Sequence, residues 1–274
     1  MKGGHTKTSA LILGAFDYGE SDRIVTFLTD RSVKLRAIAK GAKRSRRRFV
    51  GNLDPLSLSS LLVHLSPRST LARIDDASLL REFSGIKTSV ERLAAASYVA
   101  ELASEMTGDG QQTPGLFPLV TAILAKIDDG APTGPLLRSF EMRLLAAAGY
   151  LPHLSGCVAC RRPLRQGGGA GRAGRAAAAP HFFSAERGGL LCARCAAGAA
   201  GSAGLMKVSP GAARFLTMAA RLDPAKLQRL VPSPSLLAEG EELLGEFIRH
   251  HLGKELKTRL FMNKIRQPPS RGGS

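Results

Sequence analysis

Two short stretches, CVAC (Cys157–Cys160) and CARC (Cys192–Cys195), contain all four cysteines of the 274-residue chain. Each has the Cys-x-x-Cys spacing, in which a tight turn directs two sulfurs to one point. Two such pairs can close a tetrahedron of four thiolates around one Zn²⁺. Because a closed shell leaves no open coordination position, the spacing predicts a structural zinc site held by Cys157, Cys160, Cys192 and Cys195.

The segment between the two pairs is longer than in most zinc ribbons. It has 31 residues, against about 15–20 in the usual pattern. Within it, residues 166–180 read QGGGAGRAGRAAAAP, a low-complexity run that cannot bury enough apolar surface to offset the entropy of ordering. We therefore predict a zinc ribbon over residues 153–196 that carries a disordered insert at 166–180.

Other uses of four cysteines are two disulfides, a redox-active Cys-x-x-Cys or unrelated buried thiols. Disulfides suit secreted proteins, but the apolar run at 10–16 is short and leads directly into acidic residues, unlike a secretory signal. A redox Cys-x-x-Cys normally follows a strand of a βαβ unit, whereas Cys157 follows a helical pattern. The structural metal is the favoured interpretation.

The chain is strongly basic, with a formal net charge of +17 and a pI near 10.5. This charge favours a polyanionic partner, nucleic acid before a membrane surface. Residues 1–80 carry 14 basic and 7 acidic side chains, whereas residues 81–160 carry 6 and 8. No apolar run approaches the ~20 residues of a membrane span, so we expect a soluble, cytoplasmic protein.

Residues 8–80 have the pattern of short strands separated by turns. Strands are predicted at 9–16, 23–28, 33–40, 56–65 and 69–77. The segments between them contain no helix long enough for a parallel crossover. About five strands in ~70 residues suit a small closed barrel of the OB type. We predict this barrel as a nucleic-acid-binding domain at 1–82.

The third predicted strand and the loop behind it concentrate basic charge. Apolar and mostly basic residues alternate from Val33 to Lys40, KRSRRR follows at 43–48, and Phe16, Tyr18 and Phe49 are close by. Cations can track phosphates while rings stack under bases, as single-strand binding requires. The alternative is a solvated loop or a targeting signal. The predicted DNA-binding residues are Lys34, Arg36, Lys40, Lys43, Arg44, Arg46, Arg47 and Arg48.

From Thr88 the apolar period changes from 2 to 3.6 residues. Thr88–Glu91 reads TSVE, a capping box that predicts a helix to about residue 107. Further helices are predicted at 113–129, 133–149, 209–222 and 233–252, with a short one from 223. The predicted fold is α+β: an OB-fold barrel, then an all-helical domain at 83–262 with the embedded zinc ribbon, then a disordered basic tail at 263–274.

Three stretches resemble the bacterial RecO family of recombination mediators. They are LRAIAKGAKR (35–44) preceded by Tyr18, Glu20 and Thr29; FEMRLLAAAGYLP (140–152) with FSAERGGLLCARC (183–195); and HHLGKELKTRLFM (250–262). The resemblance implies an N-terminal OB-fold, a helical domain with a zinc ribbon and no enzymatic active site. It also implies binding to single- and double-stranded DNA, strand annealing, partnership with RecR and single-stranded-DNA-binding protein, and help in loading RecA at the bacterial nucleoid.

The sequence departs from the family at Val33, where the family usually has glycine, so the backbone there must keep a negative φ. No histidine is paired in sequence with a plausible nucleophile, and no Gly-x-x-x-x-Gly-Lys-Ser/Thr phosphate loop is present. Two function classes remain. One is a non-enzymatic DNA-binding and annealing mediator; the other is a zinc-ribbon enzyme acting on nucleic acid, such as a nuclease or RNA modifier.

Overall fold

The structure is a computed structural model that describes residues 4–45, 48–66, 71–164, 180–199, 204–223, 226–227 and 230–266. The chain divides into two units, one of residues 1–131 and 256–274 and the other of residues 132–255. This grouping differs from the domain boundary predicted at 82, because the first two helices after the barrel and the last described helix belong to the barrel's unit. The predicted insert, except for Pro180, lies outside the described residues.

Five strands of the first unit form a closed barrel: β1 (Gly4–Tyr18), β2 (Asp22–Thr29), β3 (Lys34–Ala39), β4 (Leu58–Leu65) and β5 (Ala72–Arg81). Their order is β1-β2-β3-β5-β4, and the pairing of β1 with β4 closes the barrel. Neighbouring strands are antiparallel except β3 and β5, which are parallel. The barrel confirms the predicted OB-type domain and, with the helices that follow, the α+β class.

Apolar side chains fill the barrel, because alternate positions of each strand point inward. The buried interior includes Ala10, Ile12, Val25, Phe27, Ala37, Ala39, Leu61, Val63 and Ile74. Phe16, Ile24 and Ile38 are paired across β1, β2 and β3 and alternate with these inward positions. They therefore lie on the outer face of the barrel.

The turn from β2 to β3 contains the position at which the sequence departs from the family. Val33 keeps a negative φ, as expected, and the left-handed residue of the turn is Ser32, at φ 57°. The Ser32 hydroxyl accepts a hydrogen bond from the backbone N of Phe117 at 3.1 Å. The backbone N of Thr113 donates to the Ser32 carbonyl at 2.9 Å. The turn is therefore tied to residues more than 80 positions later in the sequence.

The described α-helices are α1 (Val90–Glu105), α2 (Leu116–Asp128), α3 (Thr133–Ala147), α4 (Ala193–Gly198), α5 (Pro210–Arg221), α6 (Pro234–Leu252) and α7 (Lys257–Arg266). None of these helices is long and apolar enough to cross a membrane. The predicted disordered tail is wrong for residues 263–266, which belong to α7. Residues 267–274 lie outside the described part of the chain.

Ser89 is the N-cap of helix α1, and its hydroxyl accepts a hydrogen bond from the backbone N of Arg92 at 3.4 Å. The N-cap is therefore one residue later than the predicted capping box. Helix α1 packs against α7. The Glu101 carboxylate accepts hydrogen bonds from the backbone N of Lys257 at 3.1 Å and of Thr258 at 2.8 Å. Glu101 thus satisfies N–H groups that a helix start leaves without intrahelical partners.

In the second unit, β6 (His181–Ser184), β7 (Gly189–Leu191) and β8 (Leu205–Val208) form an antiparallel sheet in the order β7-β6-β8. Helix α3 packs against α5 and α6. Ser209 and Ser233 cap the N-termini of α5 and α6, and Gly253, at φ 66°, ends α6. These three boundaries confirm the predictions. The short helix predicted from 223 lies partly outside the described residues.

Candidate metal centre and nucleic-acid surface

The four cysteines lie together in the second unit. Their Sγ atoms are all within 4.8 Å of one another, and Cys160 Sγ lies 3.9 Å from Cys192 Sγ. A zinc–sulfur bond of about 2.3 Å in a regular tetrahedron places the sulfurs about 3.8 Å apart. The donor set and the spacing therefore fit a four-coordinate zinc site. Among the described residues, no other group of three or more histidine, cysteine or acidic side chains lies close enough to hold a metal ion.

The first cysteine pair lies on a compact turn. The backbone N of Arg161 donates to the Cys157 carbonyl at 2.8 Å, and Cys157 N donates to the Arg162 carbonyl at 2.9 Å. Arg161 adopts a left-handed backbone, φ 59°, which turns the chain back on itself. Val158 N donates to the Leu190 carbonyl at 2.8 Å, which ties this turn to β7. The turn therefore brings Cys157 and Cys160 next to the strand that leads to the second pair.

The second pair lies where β7 passes into the short helix α4. Cys192 is the N-cap residue of that helix, and its carbonyl accepts a hydrogen bond from the backbone N of Ala196 at 2.9 Å. Leu191 and Ala196, both buried, pack with Cys157 in a small apolar cluster. The strand and the helical turn thus fix Cys192 and Cys195 on the side of the sheet that faces the first pair.

Burial and local hydrogen bonds shift the pKa values of three of the four cysteine thiols, in different directions. Burial of Cys157 favours its neutral form, but hydrogen bonds from the backbone of Cys160, Cys192 and Ala159 outweigh this effect and lower its pKa from 9.0 to about 6. The hydrogen bond from the Cys195 backbone also lowers the pKa of Cys192. Hydrogen bonds with the side chains of Cys192 and Cys160 raise the pKa of Cys195 to about 12. The cluster thus favours some thiolates over others, and a bound dication would favour all four.

On the barrel, the predicted basic face divides into a covered end and an open end. Lys34, at the start of β3, is only 9% exposed. Its ammonium donates to the Ser104 carbonyl at 2.6 Å and lies 3.0 Å from the Asp109 carboxylate. The prediction that Lys34 contacts DNA is therefore corrected, because its ammonium group is paired with Ser104 and Asp109 within the protein.

At the open end, Arg36 and Lys40 are exposed. Within the described residues, Arg36 forms no hydrogen bond or ion pair. It is paired across the sheet with Thr26, which is paired with Gly14 in turn. Among the residues that the structure describes, none has an atom within 4 Å of the space where a Gly14 side chain would be. This row of the sheet surface therefore leaves room beside the Arg36 guanidinium.

The loop after β3 is partly neutralised by acidic neighbours. Lys43 lies 3.3 Å from Asp17, and this hydrogen bond is the largest cause of the lowered pKa of that carboxyl group. Arg44 lies 3.6 Å from Glu20. Arg48 donates to the Asp75 carbonyl at 3.3 Å. The remaining predicted contacts, Arg46 and Arg47, lie outside the described residues.

Of the three aromatic residues noted in the sequence, two are available for stacking. Phe16 is 51% exposed and Tyr18 is 54% exposed, and both occupy outward positions at the end of β1. Phe49 is 4% exposed and belongs to the barrel interior, so it cannot stack on a base. The open end of the barrel therefore combines two exposed rings with the side chains of Arg36 and Lys40.

Sequence reasoning missed the residues that support this surface. Asp22 Oδ1 accepts hydrogen bonds from the backbone N of Gly41 at 2.8 Å and from the Ser21 hydroxyl at 3.0 Å. It thereby fixes the turn, with Gly41 at φ 69°, that follows Lys40. An aspartate at the start of a strand gives no sequence signal for this role, because the turn it holds is 19 residues away.

Comparison with known proteins identifies the family. The models described as Recombination protein O N terminal and Recombination protein O C terminal match residues 1–83 and 87–260. A relative named DNA repair protein RecO from Anaeromyxobacter sp. (strain K) is 38% identical over 262 residues, covering 94% of this chain and 96% of the relative. Relatives of the same name from Myxococcus xanthus and Geobacter metallireducens are 35% and 34% identical, over 93% and 95% of this chain and 96% and 98% of their own lengths. The chain belongs to the RecO family of DNA repair proteins.

Proposed function

We propose that this protein is a non-enzymatic mediator of recombinational DNA repair that binds single- and double-stranded DNA and anneals complementary strands. With RecR, it assists the loading of RecA onto DNA coated with single-stranded-DNA-binding protein. We place this activity in the bacterial cytoplasm, at the nucleoid. Family membership supports the repair role, and the barrel surface supports direct contact with DNA.

The observation that carries the proposal is the open end of the barrel. Phe16 and Tyr18 offer exposed faces on which bases can stack, and stacking accepts any base because every base has a π-face. Arg36 and Lys40 supply cations for the phosphates beside them. Lys43, Arg44 and Arg48 extend the basic surface along the loop, and we include Arg46 and Arg47 in it from the sequence.

We propose that Cys157, Cys160, Cys192 and Cys195 hold one structural zinc ion. The ion would offset part of the negative charge of the four thiolates and join the two turns, without an open position for a substrate. Such a site stabilises the fold around it, because its ligands come together only when the chain folds. The proposed zinc therefore supports the ribbon and takes no part in annealing.

Annealing of fluorescently labelled complementary strands, bare or coated with single-stranded-DNA-binding protein, tests the proposal. Wild-type protein should speed duplex formation, and Arg36→Ala with Lys40→Ala should slow it. The matched control is Lys7→Ala with Arg31→Ala, which removes the same charge from other exposed positions of the barrel's unit.

Equal effects of the two double variants would show that only net charge matters and would reject the proposed surface. The same reaction, supplemented with Mg²⁺ and run on a denaturing gel, addresses the alternative of a nucleic-acid enzyme. Intact strands support the mediator, whereas shortened strands would support a nuclease.

A further inference from the structure

The described part of the zinc ribbon carries basic side chains on its surface and almost no acidic ones. The exposed basic residues are Arg161, Arg162, Arg187, Arg194 and Lys207. Within the described residues of the ribbon and β8, at 153–164, 180–199 and 204–208, the only acidic residue is Glu186, in the turn between β6 and β7. This local excess of positive charge belongs to a different unit from the basic barrel.

Three of these five cations lie on the turns that carry the cysteines. Arg161 and Arg162 directly follow Cys160, and Arg194 lies between Cys192 and Cys195. Consecutive Cα atoms are about 3.8 Å apart. Because the four sulfurs lie within 4.8 Å of one another, the backbones that bear these arginines converge at the same end of the ribbon.

Lys207 lies on the same side of the sheet as the cysteines. It is paired with Phe182 on β6, which is paired with Leu191 on β7. Side chains directly opposite each other in antiparallel strands point to the same face. Phe182 and Leu191 pack in the apolar cluster around Cys157, so Lys207 extends from the edge of the face on which the cysteine turns lie. We call these four residues, Arg161, Arg162, Arg194 and Lys207, the ribbon surface.

Internal partners do not account for this charge. Within the described residues, none of the four side chains forms a hydrogen bond or an ion pair. Four thiolates around Zn²⁺ would carry a net charge of two minus, which four cations exceed. The planar forks of guanidinium groups match phosphate oxygens. A surface of this kind is suited to bind a polyanion.

We propose that the ribbon surface binds the phosphodiester backbone of DNA, as a second contact separate from the barrel. The inference rests on the proposed function, since it assigns a further site for the same ligand. The aromatic residue paired with Lys207, Phe182, is packed in the cysteine cluster and is not free to stack on a base. The contact is therefore to phosphates alone and does not distinguish single strands from duplex. Two phosphate sites in different units allow one protein to hold two strands, or two parts of one strand.

The test measures DNA affinity of the full-length protein against salt concentration. The variant Arg162→Gln with Arg194→Gln should reduce the slope of log affinity against log salt by about 1.4 on single strands and about 1.8 on duplex, if each arginine contacts one phosphate. Arg187→Gln with Arg221→Gln is the matched control, because both residues are exposed in the second unit outside the ribbon surface. The control should leave the slope unchanged.

Zinc content and melting temperature are measured on the same samples. If the glutamine variant loses zinc, Arg162→Lys with Arg194→Lys replaces it, and this variant should keep most of the slope because the charge is kept. A slope equal to wild type in the zinc-loaded glutamine variant would overturn the inference.

The barrel variant Arg36→Ala with Lys40→Ala separates the two proposals. If the ribbon variant alone reduces the slope, the ribbon site stands and the barrel surface fails. If the barrel variant alone reduces it, the proposed function stands and the ribbon site is rejected. Reductions that add in the combined variant would support both sites, because separate contacts contribute independently.

Discussion

The ammonium of Lys34 donates a hydrogen bond to the carbonyl oxygen of Ser104 at 2.6 Å, which joins the start of β3 to the last turn of α1. The carbonyl groups of a last helical turn have no intrahelical donors, and a cation there also interacts favourably with the helix dipole. The Asp109 carboxylate, 3.0 Å away, completes the site. Lys34 therefore stabilises the first unit, although its place in a basic strand suggested a DNA contact.

Lys34→Met should lower the free energy of unfolding by about 1–3 kcal/mol, because a partly buried carbonyl and a carboxylate lose their charged donor. Arg36→Met, two residues along the same strand, should leave stability unchanged and flatten the salt dependence of single-strand binding by about 0.7 in slope. Urea denaturation and binding titrations of both variants provide the measurement. A stable Lys34→Met protein with reduced DNA affinity would contradict the assignment.

Phe16→Ala and Tyr18→Ala should each weaken binding to single strands by about 1–3 kcal/mol for every base that the ring stacks on. Affinity for duplex should change little, because duplex bases are already stacked on one another. Fluorescence anisotropy with single- and double-stranded oligonucleotides measures both. Leu80→Ala is the control, since Leu80 is an equally exposed apolar residue of the barrel, at 52%. Equal losses on both forms of DNA would point to a general loss of the surface instead of stacking.

Purified protein should contain about one zinc ion per chain, and Cys157→Ser should lose it. Because Cys157 is 1% exposed and zinc binding is coupled to local folding, the variant should also melt at a lower temperature and be less soluble. DNA affinity of the fraction that remains folded should fall less. Elemental analysis beside a Ser155→Ala control, altered two positions away, measures the metal. Freshly reduced wild-type protein without zinc would rule out the site.

Asp22 gives a pH-dependent contribution to stability. The backbone N–H of Gly41 and then the Ser21 hydroxyl lower the pKa of the Asp22 carboxyl group below its ordinary value. The contribution is therefore complete above the unfolded pKa of about 3.9 and is lost as the pH falls through the lower folded value. Asp22→Asn should be less stable than wild type at neutral pH, and the difference should shrink in acid. A difference that is constant from pH 6 to pH 2 would show that the carboxylate charge is not involved.

The barrel was predictable because its strands alternate and its turns are short. Val25 and Ala37 point inward as the alternation requires, and Ser209 with Pro210 begins a helix as the local sequence indicates. The alternation of apolar and basic residues could not show that Lys34 is covered and Arg36 exposed, since both occupy outward positions of β3. The difference between them comes from Ser104 and Asp109, some 70 residues later, which cover one end of the strand and leave the other open.

The cysteine spacing predicted the cluster, because each Cys-x-x-Cys turn needs only local backbone geometry. The local sequence could not predict where α7 begins and ends, because few of its residues are buried. Its first N–H groups are satisfied by Glu101, which lies in another helix. Local sequence therefore predicted those helix ends that are capped by their own neighbours, such as Ser209 and Ser233, and failed where the cap is distant.

The pairing of α1 with α7 has a consequence for the order in which the protein is made. Thr258, whose backbone N binds Glu101, is 157 residues later in the chain. At about 5–20 residues per second, a ribosome takes roughly 8–30 s to synthesise that interval. The second unit, a continuous segment from 132 to 255, is fully synthesised within it. The first unit is therefore the first to begin synthesis and the last to be completed. Until α7 leaves the ribosome, the face of α1 that packs against α7 stays uncovered.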